Sequence, residues 1–208
     1  MQMTKTAAVL IAFLLTGFTS VGFADDNNAP SKAELEKQQK AQEAFAKPGK
    51  PHRWLRRFVG RWKGDVTMYM APGKASKSTG RARFRMVMGG RYVQQFWRGE
   101  FVGKPFQGMG ITGYDNAKKK YVSSWIDNFG TGIMRSEGSY DAETRTMTET
   151  GTSSSPQGDM KMKTITKFDD RNRFTLTMFV VTPQGEQKIM EIKYTRDTSK
   201  RKGSKADK

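Results

Sequence analysis

The chain of 208 residues has no cysteine and one histidine, His52. Without thiols there is no disulfide, no thiolate nucleophile, no iron–sulfur cluster and no cysteine-ligated zinc. One histidine rules out a multi-histidine metal centre and leaves a single imidazole for proton transfer. No Gly-x-Ser-x-Gly elbow occurs, so a Ser–His–Asp triad would have to recruit His52 from outside the predicted strands. There is no Gly-x-x-x-x-Gly-Lys phosphate loop. Gly108, Gly110 and Gly113 lie in a predicted strand with no helix after it. They read as sites of tight curvature or close backbone approach rather than a dinucleotide turn. No cofactor and no metal is therefore expected. Acidic residues are also scarce: 20 Asp and Glu face 37 Lys and Arg, a net charge of +17. That excess implies anionic surroundings or partners and is silent about fold.

Long apolar runs are missing except at the start. Lys5 precedes a nearly unbroken apolar stretch from Ala7 to Phe18, and small residues Gly22 and Ala24 precede Asp25. This layout predicts a signal peptide over residues 1–24, cleaved after Ala24. The run is shorter than the roughly 20 residues of a membrane-spanning helix, so no transmembrane span is expected after cleavage. With no cysteine following, lipoprotein processing is excluded. The expected location is a bacterial periplasm or the medium beyond it. An exported protein is not expected to meet nucleic acid, which leaves an anionic envelope component as the possible partner for the positive charge.

Residues 25–53 are polar. Ser31-Lys32-Ala33-Glu34 has capping-box spacing, and Ala, Glu, Gln and Lys follow. This stretch reads as a marginal helix or a disordered spacer. Residues 197–208 read as a basic disordered tail. Between them, residues 54–196 alternate short β-branched and aromatic segments with turn signals. Ten strands are predicted, at Trp62–Met70, Arg81–Met88, Arg91–Phe101, Gln107–Tyr114, Lys120–Asn128, Gly132–Tyr140, Thr146–Ser153, Met160–Phe168, Arg173–Thr182 and Gln187–Arg196. Only Trp54 to Val59 has helical spacing, about one turn. Ala82, Phe84, Met86 and Met88 alternate with Arg81, Arg83 and Arg85, so one face is buried and the other is solvated. Short links favour an all-β, antiparallel up-and-down barrel over a sandwich, because closure removes the exposed edges.

Phe58-Val59-Gly60-Arg61-Trp62, a helical turn running into Gly-x-Trp, resembles the opening of the calycin and lipocalin barrels. The resemblance implies that Trp62 closes the barrel floor and that Arg196, at the end of the last strand, packs across it as a cation–π pair. A second set of motifs covers nearly all of residues 54–196. It comprises Met88-Gly89-Gly90-Arg91-Tyr92, Phe106-Gln107-Gly108-Met109-Gly110, Gly113-Tyr114-Asp115, Tyr121 to Asp127, Gly138-Ser139-Tyr140-Asp141 and Glu191 to Arg196. In order and spacing these resemble the bacterial domain-of-unknown-function family fifteen-seventy-nine. That resemblance implies a secreted calycin-like barrel and imports no mechanism.

A ten-stranded barrel can hold a ligand in its lumen. Methionines such as Met86 and Met178 would suit an irregular apolar ligand, or simply pack the core. Trp125 and Asp127 share a strand face, as do Gln94, Phe96 and Arg98 in the third strand, with Gln95 and Trp97 on its other side. If Trp125 faces inward, Asp127 does too and needs a partner; Arg98, Arg135 or Gln94 could supply one. The expected ligand-binding set is thus Gln94, Phe96, Arg98, Trp125, Asp127, Met86 and Met178, with no catalytic residue assigned. Some calycin-like barrels bind haem through histidine, but His52 precedes the strands and reads as a surface residue. The leading expectation is a non-enzymatic carrier of a small hydrophobic or amphipathic ligand. The alternatives are an envelope protein binding anionic polymers through its basic surface, and a hydrolase built on strand carboxylates such as Asp127, Glu149 and Glu191.

Overall fold

The structure, a computed structural model, describes residues 30–71 and 73–199. The expected signal peptide at 1–24 and most of the expected basic tail lie outside the described residues. The chain divides into two units, one ending at Ala44 and the other beginning at Phe45. Helix α1, Lys32–Ala46, carries no buried residue. Its start is the capping box. The Ser31 amide and hydroxyl donate to Glu34 Oε2 at 2.7 and 2.8 Å, and the Glu34 amide donates back to Ser31 Oγ at 3.3 Å.

The second unit is a closed ten-stranded antiparallel barrel, each strand paired with its sequence neighbours and β1 closing on β10. The strands are β1 (Gly60–Ala71), β2 (Lys74–Val87), β3 (Tyr92–Phe101), β4 (Lys104–Asp115), β5 (Lys120–Asp127), β6 (Met134–Asp141), β7 (Thr146–Ser155), β8 (Gly158–Phe168), β9 (Arg173–Thr182) and β10 (Gly185–Arg196). The all-β, up-and-down, calycin-like architecture expected from the sequence is the one observed. One boundary differs clearly. β2 begins at Lys74, not Arg81, although Lys74 to Gly80 is small and polar. Cross-strand pairing to β1, from Gly64↔Gly80 to Ala71↔Lys74, holds this stretch extended. A side-chain pattern gives no hint of backbone pairing.

Burial is concentrated at one end. Helix α2 (Lys50–Trp54) and a 3₁₀ turn at Leu55–Phe58 run beneath the barrel opening. Leu55 is fully buried there, and Trp54 lies 4.1 Å from the Tyr140 ring and 5.3 Å from that of Tyr121, centroid to centroid. Phe58, Phe84, Phe168, Phe174 and Tyr194 complete an aromatic floor. His52 is not the surface residue expected from its position before the strands. It is 4% exposed, its Nδ1 accepts from the Gly49 amide at 3.0 Å, and its ring meets Tyr114 edge-on at 5.8 Å. Burial lowers its pKa, so the neutral imidazole caps α2.

At the seam between β1 and β10, Trp62 pairs directly with Arg196. The Arg196 guanidinium sits 4.2 Å from the Trp62 ring centroid and donates to the carbonyls of Val59, Arg57 and Arg171 at 2.8 to 3.3 Å. Trp62 Nε1 donates to Phe58 O at 2.7 Å. Gly60 makes room for this lock. Its φ is +135° and a Cβ there would lie 2.5 Å from Arg196 Nη1. The Gly-x-Trp triplet therefore has two separate demands on its glycine.

Candidate functional site

Strand register decides which side chains enter the lumen. From Trp62, which is fully buried, the pairing runs Trp62↔Ala82↔Trp97↔Gly108↔Asp127 across β1 to β5. The next level runs Phe84↔Gln95↔Gly110↔Trp125↔Met134. Trp125 and Asp127 are thus inward, and so are Met86 and Met178 through their pairs with Val93 and Thr164. Gln94, Phe96 and Arg98 are not with them. They pair with Arg85, Arg83 and Arg81 on the outer face, and Phe96 is 41% exposed. The inner residues of β3 are Val93, Gln95 and Trp97. The expected ligand-binding set is therefore split, with Met86, Trp125, Asp127 and Met178 facing inward and Gln94, Phe96 and Arg98 outward: both faces of β3 carry an aromatic, so alternation alone does not choose between them.

Asp127 takes neither Arg98 nor Gln94 as partner. Trp125 Nε1 donates to its Oδ2 and the Phe129 amide to its Oδ1, each at 2.9 Å. The carboxylate anchors the indole and starts the β5–β6 connection. A Cβ at Gly108 would overlap the Trp125 indole, and one at Gly110 would reach it at 3.0 Å. These two glycines, read in the sequence as sites of close approach, seat the ring flat on β4.

Away from the floor the inner wall is half-buried rather than sealed. Met68, Leu176 and Met190 keep accessible surface, as do Met178, Trp125 and Met134, although all face inward. In a closed sheet, inward side chains meet water only through the lumen. Among them stands Glu149 on β7, in the level Tyr121↔Gly138↔Glu149↔Thr164↔Met178↔Met190↔Met68. Its Oε1 is shielded from solvent and has no hydrogen-bond partner in the structure. Burial raises its pKa, against a smaller pull from the Ser123 hydroxyl. Ser136 and Thr164 are buried nearby in the same wall at 8% and 9% exposure. In the sequence Glu149 stands with Asp127 and Glu191 as a strand acid of unassigned face. The available signal was its parity with Met147, which is 2% exposed.

The three strand acids considered for hydrolysis do not share a face. Glu191 points outward, bonded to Lys188 at 2.8 Å and facing Lys193 at 3.6 Å, whereas Asp127 and Glu149 point inward. Among the described residues no group of three or more His, Cys, Asp or Glu side chains is placed to hold a metal ion.

A closed ten-stranded up-and-down barrel, floored by a helical turn and locked by a Trp–Arg pair, defines a calycin-like protein. The chain belongs to the family described as protein of unknown function, DUF1579, whose model matches residues 47–196. No curated protein matches the sequence. Among solved structures it is similar to Rv2717c from M. tuberculosis, with a TM-score of 0.54 at 12% identity over 73% of this chain and 99% of that one. It is also similar to the S-type phycobiliprotein lyase CPES from Guillardia theta, with a TM-score of 0.50 at 11% identity over 82% of this chain and all of the other. At these identities the likeness is one of fold.

Proposed function

We propose that the protein is a non-enzymatic binder or carrier of a small hydrophobic or amphipathic molecule, held in the barrel lumen. The observation that carries this reading is the half-buried inner wall above the aromatic floor. Leu176, Met178, Met190 and Met68 face inward, yet retain accessible surface. A core packed for stability alone would enclose them as it encloses Trp62 and Phe174, at 0% and 1% exposure. Methionines suit such a wall because their unbranched, polarizable side chains adapt to irregular shapes. The unpartnered Glu149 Oε1 supplies a polar point inside an apolar cup, the usual division of labour in a ligand site. A ligand bearing one N–H or O–H donor on an apolar body would match both.

The test is saturable uptake of N-phenyl-1-naphthylamine, a small apolar amine whose emission rises in apolar surroundings. The wild type should bind it. Met178→Trp, which fills the lumen, should abolish uptake while keeping the fold, and the outer-face variant Arg83→Gln should bind as the wild type does. Native mass spectrometry of protein purified from its own host should show an added small mass. Absence of both saturable uptake and added mass would reject the lumen reading.

A further inference from the structure

The outer face of β1 to β5 carries a charge pattern that the lumen does not explain. Arg61, Lys63, Arg81, Arg83, Arg85 and Arg98 all project from β1, β2 and β3. The register sets like charges directly opposite one another at Arg61↔Arg83, Lys63↔Arg81 and Arg81↔Arg98. Like charges at paired positions destabilise a sheet. None of the six cations makes an ion pair among the described residues; the ion pairs there lie on other cations. Asp65 stands in the next row, opposite Thr79, and Asp197 flanks the block beyond β10, where its amide donates to the Arg61 carbonyl at 2.8 Å. The five arginines, with Phe96, Asp197 and Ser199, line a concavity of about 870 Å³.

The pattern changes sharply along the same rows. Arg83 pairs with Phe96, Phe96 with Met109 and Met109 with Ile126; in the next row Gln94 pairs with Ile111. Phe96, Ile111, Ile126 and Tyr92 are exposed by 41%, 36%, 40% and 39%. A cationic block therefore abuts an exposed apolar strip on one continuous face. The Arg85 guanidinium leans over the Phe96 ring at 5.7 Å, joining the two halves.

We propose that this face docks the barrel onto an anionic lipid bilayer. The arginines engage lipid phosphates, and Phe96, Ile111, Ile126 and Tyr92 enter the interface between headgroups and chains. Arginine suits the first task because its planar fork grips phosphate oxygens in pairs. Aromatic and branched apolar side chains beside a cationic block suit the second. A soluble polyanion would satisfy the arginines and leave the apolar strip in water, so the strip favours the membrane over a nucleic acid or polysaccharide.

Co-sedimentation of the full chain with phosphatidylcholine vesicles, with and without phosphatidylglycerol, tests this. Binding should require phosphatidylglycerol and weaken as salt rises. Arg81→Gln/Arg83→Gln/Arg98→Gln should lower the vesicle partition coefficient by about 100-fold, and Phe96→Ser should lower it by about tenfold. The control Lys161→Gln/Lys163→Gln/Lys167→Gln, equal in charge change and on β8, should retain most binding. The arginine variant should also melt no lower than the wild type, since it relieves the paired like charges. Three outcomes would overturn the proposal: no binding to phosphatidylglycerol vesicles, an equal loss in the lysine control, or tighter binding of a single-stranded oligonucleotide than of vesicles by the same face.

Discussion

Two side chains show how local chemistry sets the properties of this barrel. Arg196 folds over Trp62 and donates to three carbonyls, so one residue ties β10 to the chain before β1 and to the β8–β9 turn. Removing it as Arg196→Ala should cost about 2–4 kcal/mol, the sum of a partly desolvated cation–π contact and several charge-assisted hydrogen bonds. Urea unfolding followed by tryptophan fluorescence will measure it. Glu149 works the other way. Its folded pKa is raised above the ordinary 4.5 by burial, so the folded state favours the protonated acid. Its contribution is fully present below pH 4.5 and is lost as pH rises through the folded value. Glu149→Gln, neutral at every pH, should therefore melt higher than the wild type at pH 8 and equal it at pH 4 in thermal scans. The same variant keeps the shape of the lumen, so its stability gain would mark the acid as retained for something other than folding.

At the scale of the strand, the polar stretches are the instructive ones. β2 enters the barrel through Lys74 to Gly80, and β7 is largely threonine and serine, yet both pair along their lengths. β4 carries Gly108 and Gly110 because Trp125 of β5 lies across them. Gly108→Ala should force the indole off its seat, destabilise the barrel by about 1–3 kcal/mol, and shift the tryptophan emission to the red. A wild-type stability and spectrum would mean that the ring is free to move. β3 shows where alternation is insufficient. Gln94, Phe96 and Arg98 form as plausible an inner row as Gln95 and Trp97, and only the partners on β2 and β4 separate them. Trp97 is inside because Gly64 and Gly80 leave space that its ring occupies.

At the scale of the whole molecule, the chain carries a large positive charge, and among the described residues few ion pairs offset it. Self-repulsion of this kind is long-ranged and screened by salt. The melting temperature should rise from low to physiological ionic strength, and the rise should shrink in Arg81→Gln/Arg83→Gln/Arg98→Gln. A salt-independent melting curve would show that the cations are spread too widely to matter. The two faces of the sheet then differ in kind: a half-buried inner wall rich in methionine, and an outer wall divided between cations and apolar residues.

Read alone, the sequence determined the class of fold, the run of ten strands, the calycin-like opening at Gly60-Arg61-Trp62 and the solvated side of β2. These are local quantities: a period of two, a turn residue, a glycine two places before a tryptophan. The Trp62–Arg196 pair was implied by the resemblance to the calycin and lipocalin opening, and the pairing of β1 with β10 realises it. The tertiary structure alone decided the faces of β3, the burial of His52 beneath the strands, the local partners of Asp127 and the inward, half-satisfied placing of Glu149. Each of these depends on which residue stands opposite across a strand pair or above a floor. That is a matter of register between distant segments, which no single segment encodes.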